Sequence, residues 1–329
     1  MLQRHRTART VLKRLGAAAA VLAFAATTAH TTGAAAQERI TYKSAKAGSS
    51  YYQMGVELAE AMKKGTDGAV SVTLEESQGS VQNVMEVRAR GADYVFTTPP
   101  ALVALAQSGK AMFEGRSSPA FAEIRALFPI PSLTMHFVAS KDSGATDLAG
   151  LSGKTILLGS GSFGATEGEK YLTLFGLDGN VTIANAELSN AVAALKNGQI
   201  DAFVTAGSFP APNVIEAAAS MDVNVISMTD DQVAETKRTR TVIPAGTYAG
   251  QDEDVVTTSL PVVAFATSKM SDDTAYLLTK TFWEEQAALA GVSRWWAAVS
   301  PEMMDTVTTE IHPGALRYYA EIGASVPGQ

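Results

Sequence analysis

One arrangement recurs three times in this chain and constrains its fold more than any other feature. A short apolar run ends in a loop of Gly, Ser and Thr, and the loop opens a helix or a turn. The copies are Ile40-Thr-Tyr-Lys-Ser-Ala-Lys-Ala-Gly-Ser-Ser-Tyr-Tyr52, Val72-Thr-Leu-Glu-Glu-Ser-Gln-Gly-Ser-Val-Gln-Asn83 and Thr155-Ile-Leu-Leu-Gly-Ser-Gly-Ser-Phe-Gly-Ala-Thr166. Loops of this kind set backbone N–H groups and hydroxyls at helix N-termini. A polar or anionic small molecule is held there without dedicated cationic side chains.

Around these loops, strand-like and helix-like segments alternate, which predicts α/β layers. Strand Ile40–Tyr42 leads into a helix from Ser50 to Lys64, with Met54, Leu58, Ala61 and Met62 on one face. Strand Val70–Leu74 leads into a helix from Val81 to Arg90 with Ser80 as N-cap. Tyr94–Phe96, Ile124–Phe128 and Met135–Ala139 read as strands, the last two separated by a loop at Pro129 and Pro131. A second unit repeats the scheme. It has strand Thr155–Leu158, a helix to Phe175, strand Val181–Ala184, and a helix Asn190–Asn197 capped by Ser189. Strand Ala202–Val204, helix Asn213–Ala219 and strands Val223–Met228 and Val255–Thr267 follow, then helices Asp272–Ala290 and Pro313–Ile322. An internal echo is visible. Gly91, Asp93 and Tyr94–Phe96 before Thr97-Thr98-Pro99 match Gly198, Asp201 and Ala202–Val204 before Thr205-Ala206-Gly207. Two similar lobes would then turn their strand tips toward one cleft.

The first residues read as an export address. Arg4, Arg6, Arg9, Lys13 and Arg14 precede an apolar stretch from Leu15 to Ala26, and Ala34-Ala35-Ala36 fits a cleavage site. The mature chain is expected to begin at Gln37, after a Sec-type signal peptide spanning residues 1–36. A twin-arginine route and a lipid anchor are disfavoured, because the leader has no Arg-Arg pair and the chain has no cysteine. The expected location is the periplasm. Beyond residue 36, 21 Lys and Arg face 33 Asp and Glu, a formal charge of −12 with no basic tract. Nucleic-acid binding needs clustered cations and is not expected. The absence of cysteine removes disulfides, thiol nucleophiles and thiolate metal sites.

Other chemistry finds little support. Gly159-Ser-Gly-Ser-Phe-Gly164 follows a strand and opens a helix, with Glu187 beyond the next strand, so its spacing matches a dinucleotide fingerprint. Its mid-chain position in an exported protein argues instead for a small-anion loop. Ser162 has Ser160, not Gly, two residues before it, so the nucleophile elbow fails. Only His136 and His312 follow the leader. His136 reads as a satisfied buried residue and His312 as the cap of the last helix. Asp252, Glu253 and Asp254 read as a solvated loop, and Trp295 and Trp296 as packing. No cofactor, metal or catalytic residue is expected.

Five segments in order resemble the TAXI family of solute-binding proteins, the receptors of TRAP transporters. They are Ala47-Gly-Ser-Ser-Tyr-Tyr52, Gln78-Gly-Ser-Val-Gln-Asn83, Gly159-Ser-Gly-Ser-Phe-Gly-Ala-Thr166, Ile243-Pro-Ala-Gly-Thr-Tyr248 and His312-Pro-Gly-Ala-Leu-Arg-Tyr-Tyr319. The resemblance implies a two-lobed α/β periplasmic binding protein of type II-like form, with mixed sheets and a ligand cleft between lobes. Lobe one would be 37–137 plus 248–329 and lobe two 138–247, with crossovers near 137–141 and 244–249. It further implies a monomeric, non-enzymatic receptor. This receptor closes on a small carboxylate, an amino acid such as glutamate or a 2-oxo or dicarboxylic acid, and delivers it to TRAP-type membrane subunits. A sensor of the same fold signalling to a membrane kinase is the alternative.

Carried over residue by residue, the resemblance places Ser49, Ser50 and Tyr52 at the first tip. Gln78, Gly79, Ser80 and Asn83 fall at the second, with Thr97 and Thr98 closing lobe one. Ser160, Ser162 and Thr166 would hold a carboxylate from lobe two, completed by Thr205 and Gly207. Lys46 stands beside the first tip, and no Arg lies in any tip loop.

Overall fold

Residues 37–47, 49–160 and 162–328 are described by the structure, a computed structural model. The leader, read above as residues 1–36, lies outside them. The chain opens with β1 (Glu38–Lys43), α1 (Ser50–Gly65), β2 (Val70–Glu75), α2 (Ser80–Glu86) and β3 (Tyr94–Thr98). β1 lies between β2 and β3, parallel to both. The face of α1 predicted from its spacing is the one that is buried: Met54, Leu58, Ala61 and Met62 all sit in the core. α3 (Pro100–Ser108) starts on a proline, whose missing N–H costs nothing in a first turn, and stops at left-handed Gly109.

The next strand corrects the sequence reading. Ile124–Phe128 and Met135–Ala139 are not separate: β4 runs unbroken from Ile124 to Ser140 through Pro129 and Pro131. Here β4 is paired on one flank by a strand far later in the chain, β10 (Val255–Thr267), and the register slips between Leu260↔Leu133 and Val262↔Ile130. Prolines are tolerated in a sheet at such bulges and edges, where no ladder N–H is demanded of them.

Beyond β4 come β5 (Thr155–Leu157), α4 (Phe163–Leu174), β6 (Thr182–Ala184), α5 (Ala191–Lys196), β7 (Ala202–Gly207), α6 (Pro212–Ser220) and β8 (Val223–Val225). Two elements went unread in the sequence, α7 (Asp230–Thr236) and β9 (Thr239–Ile243). α7 carries a legible start signal. Thr229 Oγ1 accepts from the Gln232 amide, and the Gln232 side chain accepts from the Thr229 amide. After β10, α8 (Asp272–Val292) and α9 (Pro313–Glu321) close the chain, and His312 caps α9 as expected by accepting from the Gly314 amide.

Among the described residues the strands form one continuous sheet, ordered β2-β1-β3-β10-β4-β7-β5-β6, with β8 on β4 and β9 on β10. β4 and β10 are long enough to serve two lobes. Their facing segments 124–134 and 259–267 pair with each other beside β3, while the far end of β4 pairs with β7 and that of β10 with β9. A second core cluster, around Val192, Leu195, Phe203 and Val214, lies under α5 and α6.

Two N-cap expectations change. Ser80 is the first helical residue of α2, because the chain turns at Gly79 with φ of 123°. Ser189 lies inside a 3-10 turn, Leu188–Asn190, ahead of α5.

The internal echo is structural. Asp93 accepts from Thr41 Oγ1 with Oδ2, and Asp201 accepts from the Thr155 amide with Oδ2. Each aspartate thus clips the start of β3 or β7 to the neighbouring parallel strand.

Candidate functional site

The carboxyl ends of the parallel strands open on one cavity of about 500 Å³. Ser44 to Lys46 follow β1, Glu76 and Gln78 to Ser80 follow β2, and Thr97 lies near the end of β3. From the other lobe come the loop after β5, Glu187 to Ser189 after β6, Thr205 to Gly207 at the end of β7, and the start of α6. Open α/β sheets bind ligands at such strand ends, where loops and helix starts bring polar groups together without burying them unpaired.

Each lobe turns helix starts toward the cavity. α1 starts at Ser49, whose Oγ accepts from the Tyr52 amide and donates to Lys46 O. α4 starts at Ser162, whose Oγ accepts from the Ala165 amide at 3.0 Å. α2 and α6 start at Gly79 and Ala211, which offer no side-chain cap. A helix start of this kind presents partial positive charge to a solute.

The two lobes touch at the cavity. A Cβ on Gly207 would lie 2.6 Å from Ser50 Oγ, so the end of β7 approaches the first residue of α1 as closely as a missing side chain permits. Gly164 is similar within lobe two. Its Cβ would sit 3.0 Å from Ala206 Cβ and 3.2 Å from Ala206 N, which lets the first turn of α4 rest on β7.

Charge at the wall is sparse. Lys46 is ion-paired with Glu187 from the opposite lobe. Glu76 Oε1 accepts from the Ala47 amide at 3.0 Å and Glu216 is exposed on α6. Among the described residues that line the cavity there is no Arg.

The sequence-derived residues divide. Ser49, Ser50, Gln78, Gly79, Ser80, Thr97, Ser162, Thr205 and Gly207 line the cavity. Tyr52, Asn83, Thr98, Ser160 and Thr166 do not. Tyr51 takes the place expected of Tyr52, because consecutive helical residues diverge by about 100° and only one of the pair faces inward. Asn83 is fully buried and used up: its Nδ2 donates to Ser44 O at 2.8 Å and Thr97 O at 2.9 Å, and its Oδ1 accepts from Ser77 Oγ. It pins together the ends of β1 and β3 and the loop after β2. Thr98 is buried in the ladder opposite Val263. Ser160 is exposed and donates to Asn185 Oδ1 at 2.7 Å, and Thr166 is exposed on α4. Reasoning from sequence missed Glu76, Phe163, Leu188, Val192 and Asn213, which also line the cavity.

One buried chain of hydrogen bonds supports the wall from behind. The Tyr248 hydroxyl accepts from the Ala211 amide at 2.9 Å and lies 2.8 Å from His136 Nε2, while His136 Nδ1 lies 3.1 Å from Thr134 O. These partners assign the proton to Nδ1, so Nε2 accepts from Tyr248. Burial pushes the imidazole down to about 4, and it stays neutral. The start of α6 is thereby held to β4.

A model of the NMT1-like family matches residues 43–323. Among solved structures, the periplasmic binding protein BugD is similar with a TM-score of 0.55 at 10% identity, over 88% of this chain and 98% of that one. MatC from Rhodopseudomonas palustris, solved with bound malate, gives a TM-score of 0.54 at 14% identity, over 87% and 97%. The fold is the two-lobed periplasmic-binding-protein fold anticipated from the sequence, with the cavity at the junction of its lobes.

Proposed function

The chain belongs to the NMT1-like family, and we propose that it is an exported, non-enzymatic receptor that encloses a small carboxylate between two lobes and hands it to membrane transport subunits. One observation carries this reading: strand ends and helix starts from both lobes surround a single cavity, and the lobes meet there at Ser50 and Gly207. Amide groups and hydroxyls supply the positive end of the site, since the wall's one lysine is already paired. The solute class is that of amino acids and of 2-oxo and dicarboxylic acids.

Delivery to TRAP-type subunits is the finer form of the proposal, supported by the five family-like segments. A periplasmic location follows from the leader-like first 36 residues. Among the described residues no helix is long and apolar enough to cross a membrane. The lobes would flex where the pairing of β4 with β10 slips, at Ile130–Leu133 against Leu260–Val262. This placement assigns Tyr248 and Val255 to the second lobe, whose core cluster they share. Closure on a solute requires that the closed form bind it better than the open one.

A thermal-shift screen of the chain from Gln37 against carboxylates, amino acids, sugars and neutral osmolytes tests the proposal, because a ligand of the native state raises the melting temperature increasingly as its concentration exceeds its dissociation constant. A concentration-dependent rise with a carboxylate or amino acid is expected. A rise with sugars or osmolytes alone contradicts it.

A further inference from the structure

The cavity wall has a second kind of surface, opposed in character to the helix starts. Phe163, Leu188 and Val192 line it from one lobe, and Leu133, Val262 and Tyr51 from the other. Tyr51 adds a ring rather than a polar group, because its hydroxyl is spent on Pro131 O at 2.8 Å. Leu188 is seated by design of the backbone. Gly159, at φ of 79°, comes so close that a Cβ there would lie 2.9 Å from Leu188 Cβ. This fixes an apolar side chain, partly exposed, at the cavity wall.

The same wall lacks what a second anionic group would need. Lys46 is neutralised by Glu187, and the other charged lining residues are Glu76 and Glu216. A solute with two carboxylates would fix one on the helix starts and bring the other toward like charge, without an arginine fork to receive it. A solute with one carboxylate and an apolar body meets donors at one end and carbon at the other. The volume of about 500 Å³ also exceeds what a four-carbon diacid fills.

Resting on the receptor reading above, we propose that the preferred solute is a monocarboxylate with a branched aliphatic or aromatic body lodged against Phe163, Leu188 and Val192, and that dicarboxylates of similar length bind worse. The chemistry of the wall, not its shape alone, sets this preference.

Titration calorimetry on the chain from Gln37 tests it with matched pairs: 4-methyl-2-oxopentanoate against 2-oxoglutarate, and leucine against glutamate. The monocarboxylate of at least one pair is expected to bind at least about tenfold tighter, the scale set by burying an isobutyl group. In Leu188→Asn and Phe163→Ser, each first shown to keep its melting transition, that acid loses at least about fivefold in affinity. Tighter or equal binding of the diacids, with the receptor function evident from their binding, overturns the inference and leaves the receptor reading standing. No binding by any of these acids or by the carboxylates of the thermal screen overturns both.

Discussion

Lys46 and Glu187, 141 residues apart in the chain, form an ion pair at the cavity wall. One follows β1 and the other follows β6, so the pair joins the two lobes at the cavity wall. Both side chains reach solvent, 25% and 53% exposed, which limits the pair to about 1 kcal/mol or less. It is a latch of modest strength.

Lys46→Met or Glu187→Gln is therefore expected to speed solute release about two- to fivefold with little change in association. The charge-exchanged double variant Lys46→Glu/Glu187→Lys restores most of the loss. Stopped-flow dissociation at low and high salt reads this, and the difference from wild type shrinks as salt rises. Unchanged release in both single variants would remove the latch.

Asn83 offers a separate test, of architecture rather than closure. Its amide satisfies the carbonyls of Ser44 and Thr97 with no solvent contact. Asn83→Ala takes the amide donor away from those two acceptors and is expected to cost about 2–4 kcal/mol in chemical denaturation. Asn83→Asp fails in the same way, because a carboxylate cannot donate to either carbonyl. A loss below about 0.5 kcal/mol would contradict this role.

Glu57, on α1, tests the packing of that helix against the C-terminal segment. Its Oε2 accepts from the indoles of Trp295 at 3.2 Å and Trp296 at 2.7 Å, and its Oε1 from Ser293 at 2.8 Å. Glu57→Leu strands the buried indole N–H of Trp296 and is expected to destabilise by about 2–4 kcal/mol. Tryptophan emission, which tracks the melting of this contact, should shift at lower denaturant than in wild type.

The pH dependence of stability follows from His136. Its folded value, about 4, lies below the ordinary histidine value of 6.5. The unfolded chain binds the extra proton between these limits, so stability is full above about pH 6.5 and falls as pH drops toward 4. At pH 5 the loss is on the order of 2 kcal/mol relative to pH 7. His312 shifts in the same direction through burial. Urea midpoints of wild type and His136→Gln at the two pH values measure the His136 share. A variant that loses as much on acidification as wild type would refute it.

The parts of the site that were legible in the sequence are local. An apolar run closed by Gly and Ser marks a strand end, and the next few residues mark a helix start, so Ser49, Gln78 to Ser80 and Ser162 could be placed from a dozen residues each. What was not legible depends on contacts between distant segments. Asn83 belongs to a loop-like motif, yet its partners lie 39 and 14 residues away and turn it from a ligand group into a pin. Choosing Tyr51 over Tyr52 needs the phase of α1 to within one residue. Pro129 and Pro131 signal a break unless the slipped pairing with β10 is known. The apolar wall is not legible, because nothing local separates Leu188 and Val192 from core residues until the loop after β6 reaches the cavity. The start of α7 is local as well, a capping box at Thr229 and Gln232.

Gly207 and Ser50 meet at the cavity wall. Gly207→Ala would displace the Ser50 hydroxyl, so Gly207→Ala and Ser50→Ala are expected each to weaken solute binding about fivefold or more and not to add in the double variant. Full additivity would mean that the two residues act apart.

The most direct test compares an acid with its own amide. The best-binding carboxylate from the screen and its uncharged primary amide, nearly the same in shape, are titrated into the chain from Gln37 by calorimetry. Helix starts that hold a carboxylate should favour the acid by at least about tenfold. Equal or tighter binding of the amide would contradict the carboxylate site at the centre of this account.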